Sequence, residues 1–453
     1  VGGRLGRTFA AHGLIQIANF LSVILTVPLL ITAWGLPVYT DWLLIVALPS
    51  FFSLADFGFG QAVASEVGKL WAAGELEEAN KIYQTGLTII FFSCLICALI
   101  FIPVVQVIPV QKILRVTAIS PDLTRTLSII FAMQVLLAQL VGVLRAAFRT
   151  QGLESLSVAI TSLNGIGSLI SVVITWLFHG TPLTLACMMF GFSVLVISLI
   201  YIEGRRRVTW LKTRFCRITK ESVKPILAPG IGMNLINLAQ GLSLQGTFLA
   251  VSYAINPQAA AIFNSTRTLT RSVNQLANMV TYTFYSEFST SIGASNFDLA
   301  KRLHHRSSQV SFWLSLFASL CLAVVGRPIF LTWTKHKMPF NVPLFSLLLL
   351  SLVITALYSG SIAAPMAVNK HLKMSIYYCF ASVVSVGVCW AACRFMGLAG
   401  GGIGTLALAV IMLIIIVPIA INIVHDNFGE WISATFNPNF NWLIHRLKRK
   451  KAA

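Results

Sequence analysis

The chain has 453 residues, of which 57% are hydrophobic and only 10% charged, and it carries a formal net charge of +19. A soluble protein carries about 25% charged residues, so this composition, with a mean hydropathy of +0.82, points to a protein built into a bilayer. Long apolar runs with polar breaks predict spanning helices rather than a barrel.

The first run, Leu14 to Trp34, is too long and too polar for the core of a cleaved signal and is expected to be a membrane helix. Twelve spans fit, near residues 14–34, 40–64, 84–107, 123–147, 156–178, 181–202, 225–253, 259–288, 308–326, 343–367, 374–395 and 402–424. An even number puts both termini on one side. Of the 33 Lys and Arg, 24 fall on that side, 7 on the other and two inside the membrane. This bias predicts cytoplasmic termini. Much of the +19 is then a topology signal and an attraction for anionic membrane lipids, and nucleic acid is not an expected partner.

Span one contains Leu14–Thr26, LIQIANFLSVILT, and span seven contains Leu235–Thr247, LINLAQGLSLQGT. Six of these positions are identical at a shift of 221 residues, and the amides Gln16 and Asn19 fall opposite Asn237 and Gln240. Without a gap, the same shift carries Ser65-Glu66 onto Ser286-Glu287. Two copies of one unit are expected: residues 1–221, ending in a basic linker at about 203–224, and residues 222–424. A tail, 425–453, has Phe428, Trp431, Phe436, Phe440 and Trp442 before a basic end, the make-up of an interfacial segment on the cytoplasmic side.

The segment Glu66–Lys81 is expected to form a short surface helix after span two, with Glu287–Arg302 as its mate. The loops around 108–122 and 327–342 hold no His/carboxylate cluster, and no nucleophile triad or Walker motif is visible, so an enzyme is not expected. The eight cysteines read as packing residues. Cys94-x-x-Cys97 has metal-ligand spacing but no His or acidic neighbour, and His304-His305 is a pair without further ligands nearby in sequence. Gly165-x-Gly167 and Gly230-x-Gly232 fit helix packing.

Span eight carries the most chemistry. Asn264, Arg267, Arg271, Asn274, Gln275 and Asn278 recur at spacings of three and four and share a face. A helix starting near Ala259 places the two arginines roughly 12–18 Å deep, near the middle of the bilayer core. A cation there costs roughly 2.5–3.5 kcal/mol. Two readings account for that cost: pairing with Asp56 or with carbonyls, or an aqueous cavity that receives an anion. Two guanidinium forks one turn apart suit phosphate or pyrophosphate. Gln16 and Asn19 on span one, with Asn234, Asn237 and Gln240 on span seven, line such a cavity or bond helix to helix. Asp56 is either an interface residue paired with an arginine or the site of a coupling ion, H+ or Na+. Glu66 and Glu287, at helix ends, are either gate residues or solvated.

The twelve-span, two-half layout with a basic central loop resembles the polysaccharide transporters of the MOP exporter superfamily, in particular the Wzx-type O-antigen flippases. Gly35–Gly60, GLPVYTDWLLIVALPSFFSLADFGFG, is similar to that family's segment from a Gly-x-x-x-Tyr turn to an Asp-x-Gly end, and Ile262–Arg271 with Ser286-Glu287 looks like its equivalent in the second half. The resemblance implies an all-α two-lobed transporter, its central cavity lined by spans one, two, seven and eight, working by alternating access. It further implies an undecaprenyl-pyrophosphate-linked oligosaccharide as substrate, Arg267 and Arg271 at the pyrophosphate, Asp56 as a coupling residue, polysaccharide-assembly proteins as partners and the bacterial inner membrane as location. One departure stands out: Val46 and Ser50 occupy the first-half positions equivalent to the arginines, so the cation is concentrated in the second half. The alternative is a MATE-like, cation-coupled multidrug antiporter, which calls for several deep carboxylates.

Overall fold

The computed structural model describes residues 2–49, 59–208, 210–212, 214, 218–294, 296–367 and 371–439; among the side chains outside this description are those of 2–21 and 274–283. The helices are α1 Gly2–Ala47, α2 Phe59–Ala72, α3 Leu76–Val107, α4 Val110–Leu114, α5 Pro121–Leu144, α6 Ala146–Thr150, α7 Glu154–Leu177 and α8 Pro182–Arg207. They continue as α9 Lys220–Gly241, α10 Thr247–Ala254, α11 Pro257–Gly293, α12 Phe297–Trp333, α13 Val342–Ala367, α14 His371–Met396, α15 Ala399–Val424 and α16 Phe428–Phe436, with a π-helical turn, Leu242–Gly246, between α9 and α10. No strand occurs among the described residues.

Among the described residues, each expected span falls largely on helix. The first lies in α1, which breaks at Gly35 (φ 78°, ψ 168°), a conformation open to glycine because it lacks a Cβ. Beyond the break α1 supplies the start of the second span, and α2 its end. Among the described residues nine helical stretches are long and apolar enough to cross a membrane. The seventh span is broken by the π-helical turn and α11 is too polar to be among them, and the second span includes residues outside the description.

Two details differ from expectation. Glu66–Lys81 is not a separate surface helix: α2 runs on to Ala72, a turn follows at Ala73–Glu75, and Leu76–Lys81 opens α3. The eighth span begins at Pro257, two residues early, with the Asn256 side chain accepting from the Ala259 N–H at 2.8 Å.

Packing repeats along the chain. In the first six spans α1 packs on α7, α3 on α5, α5 on α8 and α7 on α8. In the second six, α9 and α10 pack on α14, α12 on α13, α13 on α15 and α14 on α15. The two sets meet where α1 crosses α11 and where α2 crosses α9. Outward faces stay apolar, with Leu99, Phe317, Val324 and Phe380 more than half exposed, as a lipid-facing surface requires.

The buried cores locate where the two sets join. One core draws on both, from Val27, Leu30, Tyr39 and Trp42 of α1 to Val251, Phe263, Phe330 and Leu344. Its members sit toward the loops at 108–120 and 334–341, here called the far side. Toward the linker the described cores separate, one belonging to α2, α3, α5 and α8 and others to α11–α15. Only Ile226 at the start of α9 joins the first of these, among the described residues.

Within the second set the helices approach closely. A Cβ at Gly400 or Gly404 of α15 would run into the Cys393 or Cys389 backbone of α14, and one at Gly360 of α13 would lie 2.6 Å from the Ser308 nitrogen of α12. Small residues permit such backbone contact in membrane bundles. The last helix, α16, is fastened on the linker side: Trp431 is buried and donates to Ser308 Oγ at 3.1 Å, while Gln309 Nε2 donates to the Asn437 carbonyl at 2.7 Å.

Candidate functional site

The π turn creates the binding geometry around Arg267. Its wider turn interrupts the regular helix ladder and presents the Leu244 carbonyl to α11. Arg267 Nη1 donates to that carbonyl and to Thr247 Oγ1, each at 2.9 Å, and Nη2 donates to Asn264 Oδ1 at 2.9 Å. The guanidinium carbon lies 4.8 Å from the centre of the fully buried Phe263 ring. Arg267 is 6% exposed, so it is a clamped, desolvated cation. It sits about 15 Å along α11 from its start at about 1.5 Å per residue.

Arg271, one turn further toward the linker, is exposed, and no described residue forms an ion pair with it. Tyr378 of α14 stands near both Arg271 and Ser243, and the Ser243 hydroxyl donates to the Gln240 carbonyl at 3.0 Å. Gln240 is exposed, and Asn234 and Asn237 are half-buried on the same helix. From Ser222 to Tyr253 and from Pro257 to Ser286 the sequence has no Asp or Glu. The arrangement can therefore accept an anion at Arg271, with the Arg267 charge fixed behind it and neutral amides and hydroxyls beside it.

Thus the structure brings together Arg267, Asn264 and Thr247, with Arg271 one turn on, while Asn234, Asn237 and Gln240 lie on α9, which packs on α14. Asp56 lies outside the described residues. Gln16 and Asn19 on α1, with Asn274, Gln275, Asn278 and Glu287 on α11, lie on described helices, but their side chains fall outside the description. Glu66 is half-buried and pairs with Lys69 at 3.0 Å.

Three features lay beyond sequence reasoning. Tyr378 is one tyrosine in an apolar span, with nothing local to mark it. Asp41, 1% exposed, is a buried carboxylate that accepts from the backbone N–H groups of Thr117, Ala118 and Ile119. The loop so held carries Arg115, which crosses to the other half. Its Nη1 donates to the Ser252 and Tyr253 carbonyls at 3.3 Å, its guanidinium lies 5.0 Å from the Tyr253 ring centre, and the Tyr253 hydroxyl donates to the Ile113 carbonyl. The third feature is the partner of His304-His305. Asp426 accepts from both rings at 2.8–3.0 Å, and His304 Nε2 lies 2.8 Å from Ser361 Oγ. Although this has the order of a Ser-His-Asp triad, Ser361, His304 and the Asp426 side chain are all fully buried, so it is a fastening for α16.

No protein-family model matches the sequence, and no curated protein is similar to it. Solved structures do match in fold. An inward-facing multidrug resistance MATE family transporter of the MOP superfamily aligns with a TM-score of 0.72 at 17% identity, over 91% of this chain and 94% of that one. The fold is that of the MOP superfamily transporters. An outward-facing MATE structure of the superfamily gives a TM-score of 0.62 at 16% identity, over 92% and 93%. The lipid II flippase MurJ, in an inward closed conformation, gives 0.66 at 15%, over 96% and 95%. These matches cover 91–96% of the chain.

Proposed function

We propose that this protein is a flippase that carries an anionic lipid-linked oligosaccharide, a glycan on an undecaprenyl pyrophosphate carrier, from the leaflet on the linker side to the opposite one. A single observation carries the reading: an exposed arginine, Arg271, backed by a clamped second arginine, in a stretch of span eight, Pro257 to Ser286, that has no acidic residue. The pyrophosphate takes Arg271, the sugars take the amides of span seven, and the lipid tail stays in the bilayer. Residues 1–221 and 222–424 rock against each other about an axis along the membrane normal, as parallel repeats do, with H+ or Na+ coupling at Asp56. On this reading the termini are cytoplasmic, the membrane is the bacterial inner membrane, and polysaccharide-assembly proteins take the product. The described MurJ neighbour, a lipid II flippase, supports the substrate class.

A second reading, a MATE-like multidrug antiporter, rests on the TM-score of 0.72. One experiment separates the two. Purified protein in liposomes is given a fluorescent undecaprenyl-pyrophosphate glycan in one leaflet, and its transbilayer movement is followed for wild type and Arg267→Ala/Arg271→Ala. Movement lost in the double variant is expected. Normal movement in the double variant sinks the flippase reading, and transport of a cationic dye in place of the glycan selects the antiporter.

A further inference from the structure

On the flank of the first half, away from the arginine site, a cavity of about 380 Å³ opens sideways between α3, α5 and α8. Its volume falls within the roughly 300–1,000 Å³ of small-molecule sites. The walls are apolar: Leu87 and Phe91 of α3, Leu140 and Leu144 of α5, and Ile197 of α8. One turn nearer the linker the lining changes to Ser198, Tyr201 and Arg214. An adjoining recess shares Leu144 and Tyr201 and adds Arg205, whose Nη1 donates to Tyr201 Oη at 3.4 Å.

Arg214 stands at this mouth because the linker is tied down. The Lys212 N–H donates to Asn80 Oδ1 at 2.9 Å, and Gln84 Nε2 donates to the Lys212 carbonyl at 3.0 Å. Val208 and Leu211 are buried in the core below. Glu203, the nearest acid on α8, is engaged by Arg206 and Arg207 at 3.6 and 2.7 Å. Among the described residues neither Arg205 nor Arg214 has an ion-pair partner. Tyr201 lies about 9 Å from the end of α8, at about 1.5 Å per residue, the level at which charged helix ends meet headgroups.

We propose that this cavity binds one anionic phospholipid from the leaflet on the linker side, with an acyl chain between α3, α5 and α8 and the phosphate between Arg205 and Arg214. An apolar slot under two unpaired guanidinium groups and two hydroxyls matches an amphiphile whose head is a phosphate. The lipid bridges α8 to the linker, completing the tie that Asn80 and Gln84 begin. This site is independent of the transported substrate.

The test is native mass spectrometry of the purified full chain in detergent, supplemented with palmitoyl-oleoyl phosphatidylglycerol or with the matching phosphatidylcholine. Wild type is expected to retain one phosphatidylglycerol at least ten-fold more than phosphatidylcholine. Arg205→Ala/Arg214→Ala is expected to bring retention down to the phosphatidylcholine level, and Leu140→Trp, which fills the slot, to abolish it. Equal retention of the two lipids by wild type overturns the proposal. So does phosphatidylglycerol retention that is unchanged in the double arginine variant, whose exposed positions spare the fold.

Discussion

Arg267 and Arg271 stand one turn apart on α11 in opposite surroundings, one closed in by a carbonyl, a hydroxyl, an amide and a ring, the other open. Arg271→Ala is expected to abolish glycan movement while leaving stability near wild type, and Arg271→Lys to restore only part of it, because an ammonium keeps the charge but loses the fork. Arg267→Ala is expected to lose both: the Leu244 carbonyl and Asn264 amide lose a buried donor, costing about 1–3 kcal/mol. A thermal unfolding series in detergent, run beside the liposome assay, checks both variants. The spacing that puts the two arginines on one face was legible in the sequence. Which one is clamped was not, because that depends on the π turn at Leu242–Gly246, and a stretch such as LSLQG carries no local signal for a five-residue turn.

At the scale of elements, two fastenings join parts far apart in the chain. Asp41 caps the loop that aims Arg115 at the end of α10. Arg115→Ala, and separately Asp41→Asn, should weaken far-side closure; a cysteine placed at Val251 in either background is expected to react several-fold faster with a membrane-impermeant thiol reagent than in the parent. The other fastening is Asp426. Burial pushes its carboxyl up, but the bonds from His304, His305 and the Asn427 N–H outweigh that and hold it well below the usual carboxylate range. A depressed acid contributes stability that is present above its unfolded pKa, about 3.9, and is lost as pH falls through the lower folded value. Burial holds the His304 ring below its ordinary pKa despite the Asp426 bond. Limited proteolysis after α16 should therefore begin to quicken as pH falls through about 6.5 and quicken further below about pH 4, whereas Asp426→Asn should be cut faster already at neutral pH. Hydropathy located α12, α15 and the apolar residues of α16. It could not pair His304 with a residue 122 positions on, since contacts of that range leave no periodic trace in one sequence.

For the whole molecule, one core shared by the two sets of spans lies at the far side; on the proposed flippase reading a substrate enters from the linker side and transport requires the far-side seam to part. A cleavable crosslinker between cysteines at Ile113 and Tyr253 is expected to stop glycan movement and its reductive cleavage to restore it; undiminished movement in the crosslinked protein excludes the rocking of halves. The all-helical, many-span architecture was readable from apolar runs. The state in which the halves rest was not, because open and closed arrangements use the same helices and differ only in which faces touch. The glycine contacts of Gly360, Gly400 and Gly404 bear on how the protein moves. At those points α13 meets α12, and α15 meets α14, with no side chain between to yield, so the second half is braced there like a stiff lever. On the proposed flippase reading, work done on it by an anion drawn to Arg271 is delivered to the far end, where the Arg115 loop is the catch.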